Sequence, residues 1–360
     1  MADLFENPLG TDGFEFVEFA GPDPDAMGNL FERMGFTAVG RHKRKDVIRY
    51  QQGEINFLLN RETKGHAADF ADAHGPSAVG MAFRVRDAEF AFQEALNRGA
   101  EPMEPGSGPF GLEVPIISGI GGSYLYLVDR YGERAVYDEE FEPIKDAKVQ
   151  SDTGLTYLDH LTHNVYRGNM SKWAGFYERV FNFREIRYFD IEGKVTGLTS
   201  RAMTSPDGKI RIPLNESKGD GGQVDQIEEY LREYKGEGIQ HIALGSRDLY
   251  QTVDTLGANG VKLQDVIETY YDLVDTRLPG HGESVEELRR RRILIDGAPS
   301  EGQGLLLQIF GQNAFGPIFF EFIQRKGNEG FGEGNFKALF ESIELDQIRR
   351  GVITAPAAAE

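Results

Sequence analysis

The chain has 360 residues, of which 39 are basic and 58 acidic, for a formal charge of −19. Its length suggests two domains, and the acidic surplus argues against a sequence-independent grip on nucleic acid or on an anionic membrane. Cysteine is absent, which excludes disulfides, zinc-thiolate sites and a cysteine nucleophile, so any metal must be held by His, Asp or Glu.

The opening "MADLFENPLG" lacks a basic stretch followed by an apolar core, and no apolar run nears the roughly 18 residues of a membrane span. The expected location is the cytoplasm. In chain order, "GFEFVEFA" reads as a strand, "DAMGNLFERMG" as a helix, and "VIRYQQGEINFLLN" as a hairpin about Gly53. "SAVGMAFRV" reads as the next strand, "AEFAFQEALNRG" as a helix, and "SYLYLVD" as a closing strand. The series then repeats from "LTYLDHLTHNVY" to "FFEFIQR". Three weak similarities occur in the same order: "FERMGF" with "YERVFNF", "FQEALNRGAEP" with "VDTLGANGVKL", and "YLYLVDRYG" with "FFEFIQRKG". They indicate a duplication with halves near 1–150 and 151–330.

The expected fold class is α+β, built from four βαβββ-like modules, two per half. Each half should form a curled, partly open mixed β-barrel with helices outside. Between the repeats of the second half lies the charged insertion "HGESVEELRRRRILIDGAPSEGQG", where Ser284 and Glu287 suggest a capping box. Arg289–Arg292 read as a solvated helix face answered by Glu283, Glu286 and Glu287. "GNFKALFESIELDQIRRG" reads as a C-terminal amphipathic helix with Phe336, Leu339, Phe340 and Ile343 on one face.

"YLDHLTHNVY" carries two of the seven histidines, three residues apart. In a strand, residues three apart point in opposite directions, so at most one of His160 and His163 is a ligand. His241 in "GIQHIALG" and Glu321 in "PIFFEFIQRKG" are polar residues in apolar strands, and a carboxylate buried there needs a partner, a proton or a metal. Arg325 is a poor partner for Glu321, because four residues of strand span roughly 13 Å. Two imidazoles and one carboxylate are the donor set of non-haem iron(II) sites, although by composition zinc fits as well. The first-half counterparts by alignment, Phe16, Gly80 and Tyr126, cannot replace this donor set. The first half (1–150) should therefore be structural and the second (151–360) catalytic.

"LDHLTHNVY", "GIQHIALGSRDLY", "GLLLQIF", "PIFFEFIQRKG" and "GFGEGNFKALFESIE" closely resemble the motif series of the 4-hydroxyphenylpyruvate dioxygenase family, across nearly the whole second half. The first half resembles a module of the vicinal-oxygen-chelate type. The resemblance implies one Fe(II) per chain held by His160, His241 and Glu321, which makes His160 the ligand of the histidine pair. It implies oxidative decarboxylation of 4-hydroxyphenylpyruvate with O2, ring hydroxylation and side-chain migration, giving homogentisate and CO2 in tyrosine and phenylalanine catabolism. Ser200, Asn215 and Gln240 match polar residues serving the chemistry, although strand parity turns Gln240 away from the side of His241. Gln308, Phe310, Phe319, Phe331, Asn335 and Phe336 match residues around the aromatic substrate, and Leu339 marks a gating C-terminal helix. His163 departs from the small residue usual in plant and animal members and is expected to be structural or to support a ligand from behind. The resemblance also implies a homo-oligomer, dimer or tetramer. A hydroxymandelate-forming enzyme with the same substrate and triad, and an extradiol ring-cleaving dioxygenase, are the alternatives.

Overall fold

The computed structural model describes residues 3–111, 114–132, 135–192, 197–219, 224–332, 334, 335, 337, 347, 348 and 350–353. Phe336, Leu339, Phe340 and Ile343, and with them the gating helix, lie outside the described residues.

The first half contains β1 (Thr11–Ala20), α1 (Pro24–Arg33), β2 (Thr37–His42), β3 (Val47–Gln52), β4 (Ile55–Asn60), α2 (His66–His74), β5 (Ser77–Val85), α3 (Ala88–Asn97), β6 (Ile116–Ser118), β7 (Tyr124–Val128), α4 (Tyr137–Glu140) and β8 (Phe141–Pro143). The second half contains β9 (Leu155–Val165), α5 (Met170–Phe181), β10 (Arg184–Glu192), β11 (Gly197–Thr204), β12 (Arg211–Ser217), α6 (Gln226–Tyr234), β13 (Gly238–Ser246), α7 (Leu249–Ala258), α8 (Thr269–Asp272), α9 (Val274–Arg277), α10 (Val285–Arg291), β14 (Leu294–Gly297), β15 (Leu305–Phe310) and β16 (Phe319–Lys326). Local chemistry sets the boundaries. Asp23 caps α1, Asp87 caps α3, and Asp225 caps α6, each accepting from a backbone N–H of the first turn. Gly53, at φ +56°, turns the β3–β4 hairpin.

Two eight-stranded mixed sheets result, ordered β6-β7-β5-β1-β4-β3-β2-β8 and β10-β11-β12-β9-β13-β16-β15-β14. Apart from the last strand of each, the second order is the first reversed, with β9 for β1, β13 for β5 and β16 for β7. The parallel pairs also correspond, β1/β4 with β9/β12 and β5/β7 with β13/β16. The duplication is therefore real. In the second unit of each half, the strand expected after the helix shrinks to a single bridge, Pro102 to Ile117 and Leu263 to Gly311.

The register supports the proposed counterparts. His241 pairs with Phe319 and Ala243 with Glu321, as Gly80 pairs with Tyr124 and Ala82 with Tyr126. Inside the first sheet, Phe16, Phe110, Tyr124, Tyr126, Tyr137 and Phe141 form a packed cluster, with Phe16 5.1 Å from the Tyr126 ring. Glu18 is buried there and accepts from the Tyr126 hydroxyl (2.6 Å) and Asn60 Nδ2 (2.8 Å); burial pushes its pKa up. Hydrogen bonds there replace a metal as the partner of a buried carboxylate. The outward faces of the two sheets share one apolar core, in which Phe57 and Phe320 meet at 5.9 Å. With both faces covered, the central strands read as continuous apolar runs.

In the insertion, Ser284 caps α10 through the Glu287 N–H as expected. The arginines, however, are answered mainly by acids of neighbouring segments: Arg289 by Asp272, Arg291 by Asp254 and Glu287, and Arg292 by Asp265 and Glu268. Glu283 instead meets Lys326 and the Tyr250 hydroxyl. Sequence distance hid these partners, because the segment folds back on α7 and α8.

Candidate metal centre

His160 on β9, His241 on β13 and Glu321 on β16 come from three adjacent strands and are all buried. Their candidate ligand atoms lie within 4.8 Å of one another. Glu321 Oε2 stands 3.0 Å from His160 Nε2 and 3.5 Å from His241 Nε2. The surrounding cavity is lined by these three residues with Pro213, Gln308, Phe310 and Phe331. Five successive strands, β12 to β15 in sheet order, thus face one point, which requires the sheet to curl.

Each histidine has its other nitrogen occupied. His160 Nδ1–H donates to Asp159 Oδ1 (2.9 Å), and His241 Nδ1–H donates to Gln240 Oε1 (2.7 Å). In both cases the partner is the preceding residue, which simple alternation would put on the opposite face. The pairing of β9 with β13 explains the exception. The register slips between Ala243–His160 and Leu244–Leu158, and again between Ile239–His163 and His241–Thr162. Asp159 and Gln240 are the extra residues at these two irregularities, and such bulges re-aim side chains. Parity alone therefore misplaced the Gln240 amide.

These bonds hold a proton on each Nδ1, so that both Nε2 atoms face Glu321 and are the ones that would ligate an ion, His160 giving up its Nε2 proton to do so. Glu321 is oriented likewise. Gln308 Nε2 donates to its Oε1 (2.7 Å), Asn335 Nδ2 donates to Gln308 Oε1 (2.7 Å), and the Tyr270 hydroxyl donates to Asn335 Oδ1 (2.8 Å). One carboxylate oxygen is thereby engaged and Oε2 is left for an ion.

Without an ion the site balances its own charge. Burial alone would push the His160 pKa down, but Glu321 and Asp159 raise it to about 9. Burial would raise Glu321, but the two imidazoles lower it to about 2. Burial holds His241 below its ordinary value. A divalent cation would take the place of the His160 proton, and the donor set and its burial fit a metal.

His163 points away, as parity requires, and its Nε2 accepts from the Tyr177 hydroxyl of α5 at 2.7 Å. The aromatic residues surround the ligands: Phe319 stacks on His241 at 4.8 Å, and Phe331 meets His160 edge-on at 5.8 Å. Asn164, Asn215 and Ser200 form a row across β9, β12 and β11. On that face, Thr162 Oγ1, both Asn164 amide atoms, Asn215 Oδ1 and Ser200 Oγ are buried without a hydrogen-bond partner. Buried polar groups ordinarily find partners, and among the described residues these atoms have none. Thr162 and Asn164 are additions to the sequence reading. Their signal was present, since both share the parity of His160.

Comparison with known proteins agrees with this geometry. Residues 5–142 match the family described as hydroxyphenylpyruvate dioxygenase, N-terminal, and residues 157–273 match the glyoxalase/bleomycin resistance protein/dioxygenase superfamily. A 4-hydroxyphenylpyruvate dioxygenase of Pseudomonas aeruginosa is 59% identical over 351 residues, covering 96% of this chain and 97% of the relative. The chain belongs to the 4-hydroxyphenylpyruvate dioxygenase family. A Vibrio vulnificus protein named hemolysin VllY is also 59% identical, over 96% of this chain and 98% of that protein. Among solved structures, a mutant of 4-hydroxymandelate synthase from Streptomyces coelicolor superposes with a TM-score of 0.80 at 25% identity, covering 94% of this chain and 99% of that one. The family membership and the His160, His241 and Glu321 cluster together mark a metal-dependent dioxygenase.

Proposed function

We propose that this chain is a non-haem iron(II) dioxygenase converting 4-hydroxyphenylpyruvate and O2 to homogentisate and CO2. The observation that carries the reading is the buried two-histidine, one-glutamate cluster in a chain 59% identical, over nearly its whole length, to a relative of that activity. His160, His241 and Glu321 would hold one iron per chain. When bound, the iron supplies the redox chemistry that lets a 2-oxo acid and dioxygen react. One oxygen atom ends in the carboxyl group that remains after CO2 leaves, the other on the ring.

The chain's own residues bind and orient. Phe310, Phe319 and Phe331 give an apolar wall for the phenyl ring and exclude water from the reacting atoms. The unpartnered atoms of Ser200, Asn215, Thr162 and Asn164 offer hydrogen bonds to the polar groups of an aromatic acid. Gln240 acts by fixing His241, and Gln308 with Asn335 by fixing Glu321. By the family resemblance Phe336 and Leu339, which lie outside the described residues, are proposed as further substrate-binding residues. In this reading residues 1–150 are a structural domain whose equivalent cavity is filled by aromatic rings, and residues 151–360 are the catalytic domain. The enzyme is proposed to be a cytoplasmic dimer or tetramer. No helix among the described residues is long and apolar enough to cross a membrane.

Aerobic incubation of the iron(II)-loaded protein with 4-hydroxyphenylpyruvate tests the reading, with oxygen uptake followed by electrode and product by mass and NMR. The expected result is uptake with homogentisate as product. The fold shared with 4-hydroxymandelate synthase makes 4-hydroxymandelate the informative rival product, and its recovery in place of homogentisate would overturn the assignment.

A further inference from the structure

Behind His160, on the side away from Glu321, lies an ionic group that the reaction itself does not use. Asp159 is fully buried, and Arg325 grips it with both arms of its guanidinium, Nε to Oδ2 at 2.7 Å and Nη2 to Oδ1 at 2.8 Å. Arg325 sits on β16, four residues after Glu321, so one strand carries both a metal ligand and the support of another. The third nitrogen of the same guanidinium donates to the carbonyls of Asn328 (3.0 Å) and Gly330 (2.6 Å). That turn leads directly to Phe331, the ring set against His160. Arg211 of β12 adds a second cation 3.7 Å from Asp159 and binds Glu329 in the same turn.

We infer that Arg325 is a positioning residue that couples retention of the metal to closure of the 328–331 turn over it, acting through Asp159 on His160 and through two backbone carbonyls on Phe331. The inference rests on the metal-centre reading. Its physical basis is that the planar fork of arginine satisfies a carboxylate and two carbonyls at once, which an ammonium group cannot do in one geometry. An unbraced Asp159 would turn away from His160, which would lose both its fixed tautomer and its orientation. Loss of such outer partners costs about tenfold to a hundredfold in metal affinity.

The test compares the full-length protein with Arg325→Lys and Asp159→Asn, the second nearly isosteric in case the first fails to fold. Cobalt(II) affinity is measured by chelator competition, and hydrogen exchange of residues 328–331 is followed with and without cobalt. The expected result is a metal dissociation constant raised about tenfold to a hundredfold in both variants. Cobalt should protect the turn in the unaltered protein and protect it less in Arg325→Lys. Affinity within threefold of the unaltered protein in both folded variants would overturn the inference while leaving the metal centre standing, as would cobalt protection of the turn undiminished in Arg325→Lys. Failure of the unaltered protein to bind cobalt at all would instead remove the metal-centre reading, and the inference with it.

Discussion

Replacing Glu321 by glutamine is expected to abolish metal-dependent oxygen uptake, a fall well beyond the roughly hundredfold that losing a supporting hydrogen bond costs. Glutamine keeps the volume and can still accept from Gln308, so the packing around β15 and β16 should survive. What it removes is the charge on Oε2, the atom facing both imidazoles. In the metal-free protein that charge also stabilises the proton on His160, so the variant should hold a neutral His160 and a site with no net attraction for a cation. The measurement is thermal unfolding with and without metal. A ligand at 100 times its dissociation constant stabilises a fold by about 2.7 kcal/mol. The unaltered protein should show an upward shift of Tm on adding metal and the variant none. A variant that kept both its metal-induced shift and its oxygen uptake would show that Glu321 is not a ligand.

The candidate metal triad was legible because its chemistry stands out in apolar strands: a lone histidine in "GIQHIALG", a lone carboxylate in "PIFFEFIQRKG". The duplication was legible because three segments recur in order, and it identified Phe16, Gly80 and Tyr126 as the positions where the first half has no ligand. What stayed hidden depends on pairing between distant strands. Neither the slip at Gln240 nor the one at Asp159 in the β9–β13 ladder leaves a mark in one strand's sequence, yet together they aim Asp159 and Gln240 at their histidines. Arg325 was rightly separated from Glu321, but its true partner lies on β9, two strands away with β13 between. Helix α6 is a different case: Ile227, Tyr230, Leu231 and Tyr234 already show a 3.6-residue stripe. Its counterpart α2, with Ala67 and Phe70 buried, carries a much weaker one.

His163 gives the second large effect, on stability. Its ring is fully buried and its Nε2 accepts from the Tyr177 hydroxyl, so the folded protein accommodates only the neutral imidazole. Burial lowers its pKa from 6.5 to about 3. Between those values the unfolded chain binds a proton that the folded chain refuses, so stability falls as pH falls from 6.5 toward 3 and is fully present above 6.5. At 1.36 kcal/mol per pH unit, the loss from this one group reaches about 4 to 5 kcal/mol by pH 3. His163→Gln keeps an acceptor for the Tyr177 hydroxyl and has nothing to titrate. At pH 7 it should lose about 1 to 3 kcal/mol through poorer packing and a weaker hydrogen bond. Urea midpoints measured from pH 7 to pH 4 should then decline less steeply than in the unaltered protein, by about one proton's worth of slope. Metal affinity should be unchanged, because the ring faces α5 and not the ligands. An equally steep decline in the variant would mean that other buried groups carry the acid sensitivity. A loss of metal affinity would mean that the two histidines of "DHLTH" are coupled despite pointing to opposite faces of β9.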